Sequence, residues 1–139
     1  MEGRLKYKIV SCSSEDKDHP ISNLLVRGSS GWESGRFCSY PQEITLQFYS
    51  PVHVKQLQFM SNCRKIARRI DILYYNEKES VDSRFSKYGF VQLSNNEQTN
   101  FEGREFKTIM VEMHCTYVRF LLHQPHGNRQ NFFSQVGLH

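Results

Sequence analysis

The sequence predicts an all-β fold, an antiparallel β-sandwich of the jelly-roll kind with about eight or nine short strands and one short helix near 80–88. Three observations carry this. Apolar and polar residues alternate at period two through most of the chain, Pro20, Pro41, Pro51 and Pro125 fall between the alternating runs, and the connecting segments are rich in Ser, Asn and Gly. With 139 residues the chain is about one domain long and can bury a single real core, so residues 1–139 are read as one unit.

The elements follow in order. Lys6 to Cys12 reads as a first terminal strand. The stretch Ser30-Gly31-Trp32-Glu33-Ser34-Gly35-Arg36-Phe37-Cys38-Ser39-Tyr40-Pro41 mixes small residues with bulky aromatics before strict alternation begins. In the strand that follows, Ile44, Leu46 and Phe48 point inward and Thr45, Gln47 and Tyr49 outward. Trp32, the only tryptophan, therefore precedes a core strand and is expected to close one end of the sandwich rather than to stack on a ligand. Burial of such a ring removes on the order of 200 Å² from water, which at about 25 cal/mol per Å² is several kcal/mol.

Val52 and Val54 alternate with His53 and Lys55, and after a one-residue shift at Gln56 the pattern resumes with Leu57 and Phe59, as a β-bulge would produce. Ile70, Ile72 and Tyr74 form another half-buried strand. Val81, Phe85 and Tyr88 then stand at helical spacing, with Ser80 as a cap and Gly89 as a stop. Phe90, Val91 and Leu93, then Ile109, Val111 and Met113, then Val118, Phe120 and Leu122 give further strands. Phe133 to Leu138 is the last.

Charge and cysteine usage bound the partners. Eighteen Lys and Arg against 14 Asp and Glu give a net charge of +4, which favours solubility without indicating nucleic acid. No window approaches the roughly 18 apolar residues of a membrane span, and the N-terminus lacks the apolar run of a secretion signal, so an intracellular location is expected. Cys12, Cys38, Cys63 and Cys115 are too widely spaced for zinc or redox pairs and are expected as free thiols.

The candidate contact residues are Arg64, Lys65, Arg68 and Arg69, four basic residues in six positions before a strand, with Arg36 and Arg129 as weaker additions. Such a cluster suits acidic protein surfaces or phosphates. Four exposed pairs at about 0.2–1 kcal/mol each give at most about 4 kcal/mol, or millimolar affinity, so the cluster assists a multivalent assembly and does not suffice alone.

His123 and His126 flank Gln124-Pro125 without a Cys or carboxylate partner, so no metal is expected there. The loop Ser14-Glu15-Asp16-Lys17-Asp18 reads as solvated rather than calcium-binding. No G-x-S-x-G, G-x-x-x-x-G-K or H-E-x-x-H motif is present, so no catalysis and no cofactor are expected. Phe101, Arg104, Tyr117 and Arg119 are the residue types of a nucleic-acid platform. Alternation is expected to turn the aromatics inward, and nucleic acid is not expected as a partner.

The run SGWESGRFCSYPQEITLQF, followed by VKQLQFMS, RRIDILYY, RFSKYGFVQLSNNEQT, REFKTIMVEM, YVRFLLHQPHGNRQN and FSQVGL, closely resembles the N-terminal jelly-roll domain of the centrosomal protein 104 family. The likeness covers nearly the whole chain. The GW loop and the YVRFLL strand are more distantly similar to discoidin and galactose-binding-like domains. The resemblance implies the N-terminal domain of a longer cytoskeletal protein of the centrosome, centriole and axoneme tip, with protein partners there and with tubulin bound through other parts of the parent. The implied role is a non-catalytic interaction module. The rival reading, from the distant relatives, is a glycan or lipid head-group module.

Overall fold

The computed structural model describes residues 5–26, 28–61, 64–76, 85–94, 106–127, 131 and 133–139. Among these residues seven strands run in chain order: β1 (Tyr7–Cys12), β2 (Trp32–Glu33), β3 (Gln42–Met60), β4 (Arg69–Tyr75), β5 (Ser86–Gln92), β6 (Phe106–Leu122) and β7 (Gly137–Leu138), with one 3-10 turn at Ile21–Leu25. Every pairing is antiparallel. Five strands form a sheet in the order β1-β3-β6-β4-β5, and β2 pairs with β7. The expected all-β antiparallel fold is the observed one.

Two strands are far longer than the alternation suggested, because each serves both layers. On β6 the buried side chains are Val111, Met113 and Cys115, and then, in opposite phase, Thr116, Val118, Phe120 and Leu122. β6 carries no surplus residue at that point, so the change of buried face marks where the strand passes from one layer to the other. The crossing lies where β3 carries surplus residues, between the pairs Gln47↔Tyr117 and Val52↔Cys115. Pro51 sits in that excursion, inside β3 rather than between strands, at a point where no ladder hydrogen bond is needed from it. The two arms of the long β3–β6 ribbon fold onto each other, and Phe59 of one meets Phe120 of the other edge to face at 5.1 Å.

The shift expected near Gln56 is present between Val54 and Gln56, with the surplus residue on β6. A bridge from Ser61 to Leu138 and the bond from His139 N–H to the Met60 carbonyl, 2.8 Å, join the β2–β7 pair to the end of β3. One core results, centred on Ile44, Ile70, Ile72, Met113, Val118 and Leu122. Phe48 is buried with it and Leu46 packs half-buried against it. Cys115 lies in the same interior, where burial pushes its thiol up to about 11.

The helix expected near 80–88 is corrected where the chain is described. Ser86–Tyr88 belong to β5, pairing with β4, and Tyr88 is the surplus residue between Ile72↔Gly89 and Leu73↔Lys87. Sheet pairing there overrides the i, i+3 spacing of Phe85 and Tyr88; residues 80–84 lie outside the described residues. The last strand is likewise shorter than expected, since only Gly137–Leu138 pair.

Candidate functional site

Trp32 begins β2, opposite Leu138, and is fully buried. Its indole Nε1–H donates to the Ser14 carbonyl at 3.0 Å, so the polar edge of the ring is satisfied as its body closes the core. Gly31 precedes it with φ +80°, and a side chain there would collide with the Leu138 carbonyl, which fixes glycine before the tryptophan.

Immediately beyond the indole lies a buried polar network. Gln135, 1% exposed, donates through Nε2 to Asp16 Oδ2 at 3.0 Å and to the Ser34 carbonyl at 2.8 Å. Its Oε1 accepts from Lys65 Nζ at 3.0 Å, and the same ammonium donates to Glu33 Oε1 at 2.6 Å. Arg36 Nε lies 3.4 Å from Asp16 Oδ2, and His19 Nδ1 stands 3.6 Å from Glu33 and 3.7 Å from Asp16. The Asp18 backbone N–H holds the Asp16 carboxyl below the usual range, helped by Gln135 and Arg36 against the opposing effect of burial.

The four clustered basic residues do not form one patch. Ile66 and Ala67 between them are buried, and the segment is anchored by the Ala67↔Pro125 bridge, by His126 N–H on the Ile66 carbonyl and by Arg68 N–H on the Gln124 carbonyl, both 2.9 Å. Lys65 turns inward to Glu33. Arg69 grips Asp71 through Nε at 2.9 Å and lies over the Phe90 ring at 4.7 Å. Arg68 alone of the four is exposed, its Nε near the Pro125 carbonyl, while Arg64 has φ +68° beside the network. Arg36 joins Lys65 through Asp16, Gln135 and Glu33; Arg129 lies outside the described residues.

The two imidazoles that flank Gln124-Pro125 also diverge. His123 Nε2 bonds Asp71 at 2.8 Å, whereas His126 Nε2 bonds the Leu93 carbonyl at 2.7 Å. Burial alone would raise the Asp71 carboxyl, but the His123 and Arg69 bonds outweigh it and hold Asp71 below the usual range.

At the rim of the network is a feature with no periodicity signal. Phe37, 65% exposed, has φ +54°, and Ser134 has φ +52°. Their segments are clasped by Phe37 N–H on the Phe133 carbonyl at 2.8 Å and by Tyr40 Oη on the Ser134 carbonyl. Phe37 meets Phe133 edge to face at 5.7 Å, and the Arg36 guanidinium covers Phe133 at 4.2 Å. A left-handed backbone at a non-glycine residue costs on the order of 1–2 kcal/mol, and an exposed ring recovers little of that from the core. Phe37→Gly is therefore expected to leave the melting temperature unchanged or raise it by a few degrees. A fall of more than about 5 °C would show that the ring stabilises the fold instead of serving a surface.

A compact antiparallel sandwich with loops clustered beside one buried indole defines a galactose-binding-like β-sandwich. The N-terminal domain of the single-strand break repair protein XRCC1 superposes with a TM-score of 0.70 over 97% of this chain and 93% of its own, at 16% identity. The family 32 CBM of NanJ from C. perfringens, solved with galactose, gives 0.69 over 95% and 92%, at 12% identity. These likenesses establish the fold. Residues 31–139 match the family described as "Centrosomal protein CEP104, N-terminal domain", and the chain belongs to that family. The human Centrosomal protein of 104 kDa is 30% identical over 146 residues, which cover 99% of this chain and 16% of the relative's length.

Proposed function

We propose that the chain is a non-catalytic protein-interaction module, the N-terminal domain of a longer microtubule-associated protein working at the centrosome, centriole and ciliary tip. Membership of the CEP104 family carries this reading. The buried polar groups support it, because Asp16, Glu33, Lys65 and Gln135 are engaged with one another. The contact surface is the loop end, with Arg68 and the Arg36–Phe37 rim as first contacts.

The test is proximity labelling with the chain fused to a biotin ligase in ciliated cells. Centrosomal and ciliary-tip proteins are expected above a free-ligase control, and Arg68→Glu is expected to reduce that labelling several-fold with no change in melting temperature. Labelling indistinguishable from the control overturns the proposal. The exposed Phe37 beside Arg36 favours one rival, a glycan or lipid head-group site; specific capture on a glycan or lipid array, abolished by Phe37→Gly, would select it.

A further inference from the structure

The outward face of the five-stranded sheet is not the polar surface that a solvated sheet presents. Cross-strand partners share a face, and the register places Tyr117 beside Tyr75, Arg119 beside Leu73, and Leu121 beside Asp71 and Phe90, all on the side opposite the buried Ile70, Ile72, Val118 and Phe120. Tyr117, which alternation was expected to turn inward, thus lies on the outer face. Tyrosine, phenylalanine and arginine on one face are the composition of a protein-recognition surface.

The charges on this face are unequal. The two carboxylates it carries among the described residues are already engaged: Glu43 accepts from Ser11 and Thr45, with Arg119 Nε 3.8 Å away, and Asp71 is held by Arg69 and His123. Lys8, paired with Gln47, and Lys87, paired with Leu73, are exposed and have no acidic partner among the described residues. Arg119 donates through Nε to Thr45 Oγ1 at 2.9 Å and its guanidinium carbon lies over the Phe85 ring at 4.0 Å. Its two Nη groups have no acceptor among the described residues, leaving a guanidinium fork held in place by a ring beneath it.

From these positions we infer that the outer face docks an extended acidic peptide lying across the strands from Lys8 over Arg119 to Lys87. This rests on the reading of the domain as an interaction module and names the chemistry of a partner. Strands lie about 4.8 Å apart, so β1 and β5, four intervals apart in the order β1-β3-β6-β4-β5, are separated by roughly 19 Å. An extended chain at about 3.3 Å per residue spans that in about six residues, with Arg119 near its middle. Nucleic acid fits less well. One face of Phe85 and one of Phe90 are covered by guanidinium groups, and among the described residues two fixed carboxylates share the surface with the exposed Lys8 and Lys87.

The experiment is fluorescence anisotropy at low ionic strength with a labelled octaglutamate peptide, an octaglutamine control and a single-stranded oligonucleotide. Octaglutamate is expected to bind and octaglutamine not to. Raising the salt to about 0.15 M is expected to weaken binding. The double variant Lys8→Glu, Lys87→Glu, whose side chains are exposed, is expected to lose affinity about tenfold at unchanged melting temperature, while Phe37→Gly binds as the parent does. Octaglutamate binding no better than octaglutamine, affinity indifferent to the double charge reversal, or preference for the oligonucleotide each overturns the inference. None of these readouts depends on centrosomal labelling, so the two proposals fail separately.

Discussion

Trp32→Ala is expected to destabilise the domain by about 3–5 kcal/mol, the usual cost of removing a fully buried large aromatic side chain. At roughly 3–5 °C per kcal/mol for a chain of this size, the melting temperature should fall by about 10–20 °C. Trp32→Phe keeps the packing of one six-membered ring but loses the pyrrole part of the indole and its Nε1–H bond to the Ser14 carbonyl, and is expected to cost less, about 2–3 kcal/mol. Calorimetric unfolding checks both. A Trp32→Ala protein that melts with the parent would mean that the indole does not seal the core, and the placement of β2 against β7 would be wrong.

Lys65→Met should have the second largest effect, because it leaves Glu33 without its ammonium partner in a largely desolvated setting. Lys65 is 23% and Glu33 11% exposed at the side chain, and losing one member of such a pair costs about 2–4 kcal/mol, or on the order of 10 °C. Most of that cost is the stranded carboxylate rather than the lost attraction. The double variant Lys65→Met, Glu33→Gln is accordingly expected to recover at least half of the loss, and a double variant no more stable than the single one would refute this cause. These pairs also decide how the basic segment is probed. Glu at Lys65 would face Glu33, and Glu at Arg69 would face Asp71, so lost association in those variants would report unfolding. Arg68, exposed and without a carboxylate partner among the described residues, is the informative position.

Phe37 and Trp32 lie five residues apart in the chain and have opposite fates. The tryptophan is fully buried and its ring nitrogen satisfied, whereas the phenylalanine is largely exposed on a left-handed backbone. Their joint position beside the Gln135 network makes that end of the sandwich rigid underneath and aromatic at the rim. Loops held on a stiff scaffold in this way are suited to recognition.

The strands were legible in the sequence because each sheet in the fold has a dry side, and a dry side imposes period-two alternation: Ile44, Leu46 and Phe48, Ile70 and Ile72, Val118, Phe120 and Leu122 all fall in the layers they announced. The only tryptophan, placed before the Ile44 run, is fully buried. The helix expected near 80–88 gives way to strand over Ser86–Tyr88, because short apolar spacings fit either period and the partner strand β4 decides between them.

What alternation could not reveal is which runs are one strand. β3 and β6 cross between layers: the buried face of β6 inverts between Cys115 and Thr116 and β3 carries surplus residues opposite that point, so each reads as two strands. Only the tertiary structure decided the fate of the charges. Lys65 finds Glu33 and Gln135 across 32 and 70 residues of chain, and Gln135 finds Asp16 across 119. Hydrophobic burial leaves a local signature because neighbouring residues share one sheet face. A long-range pair such as Lys65–Glu33 leaves none, because its partners are brought together only when the loops at the end of the sandwich close.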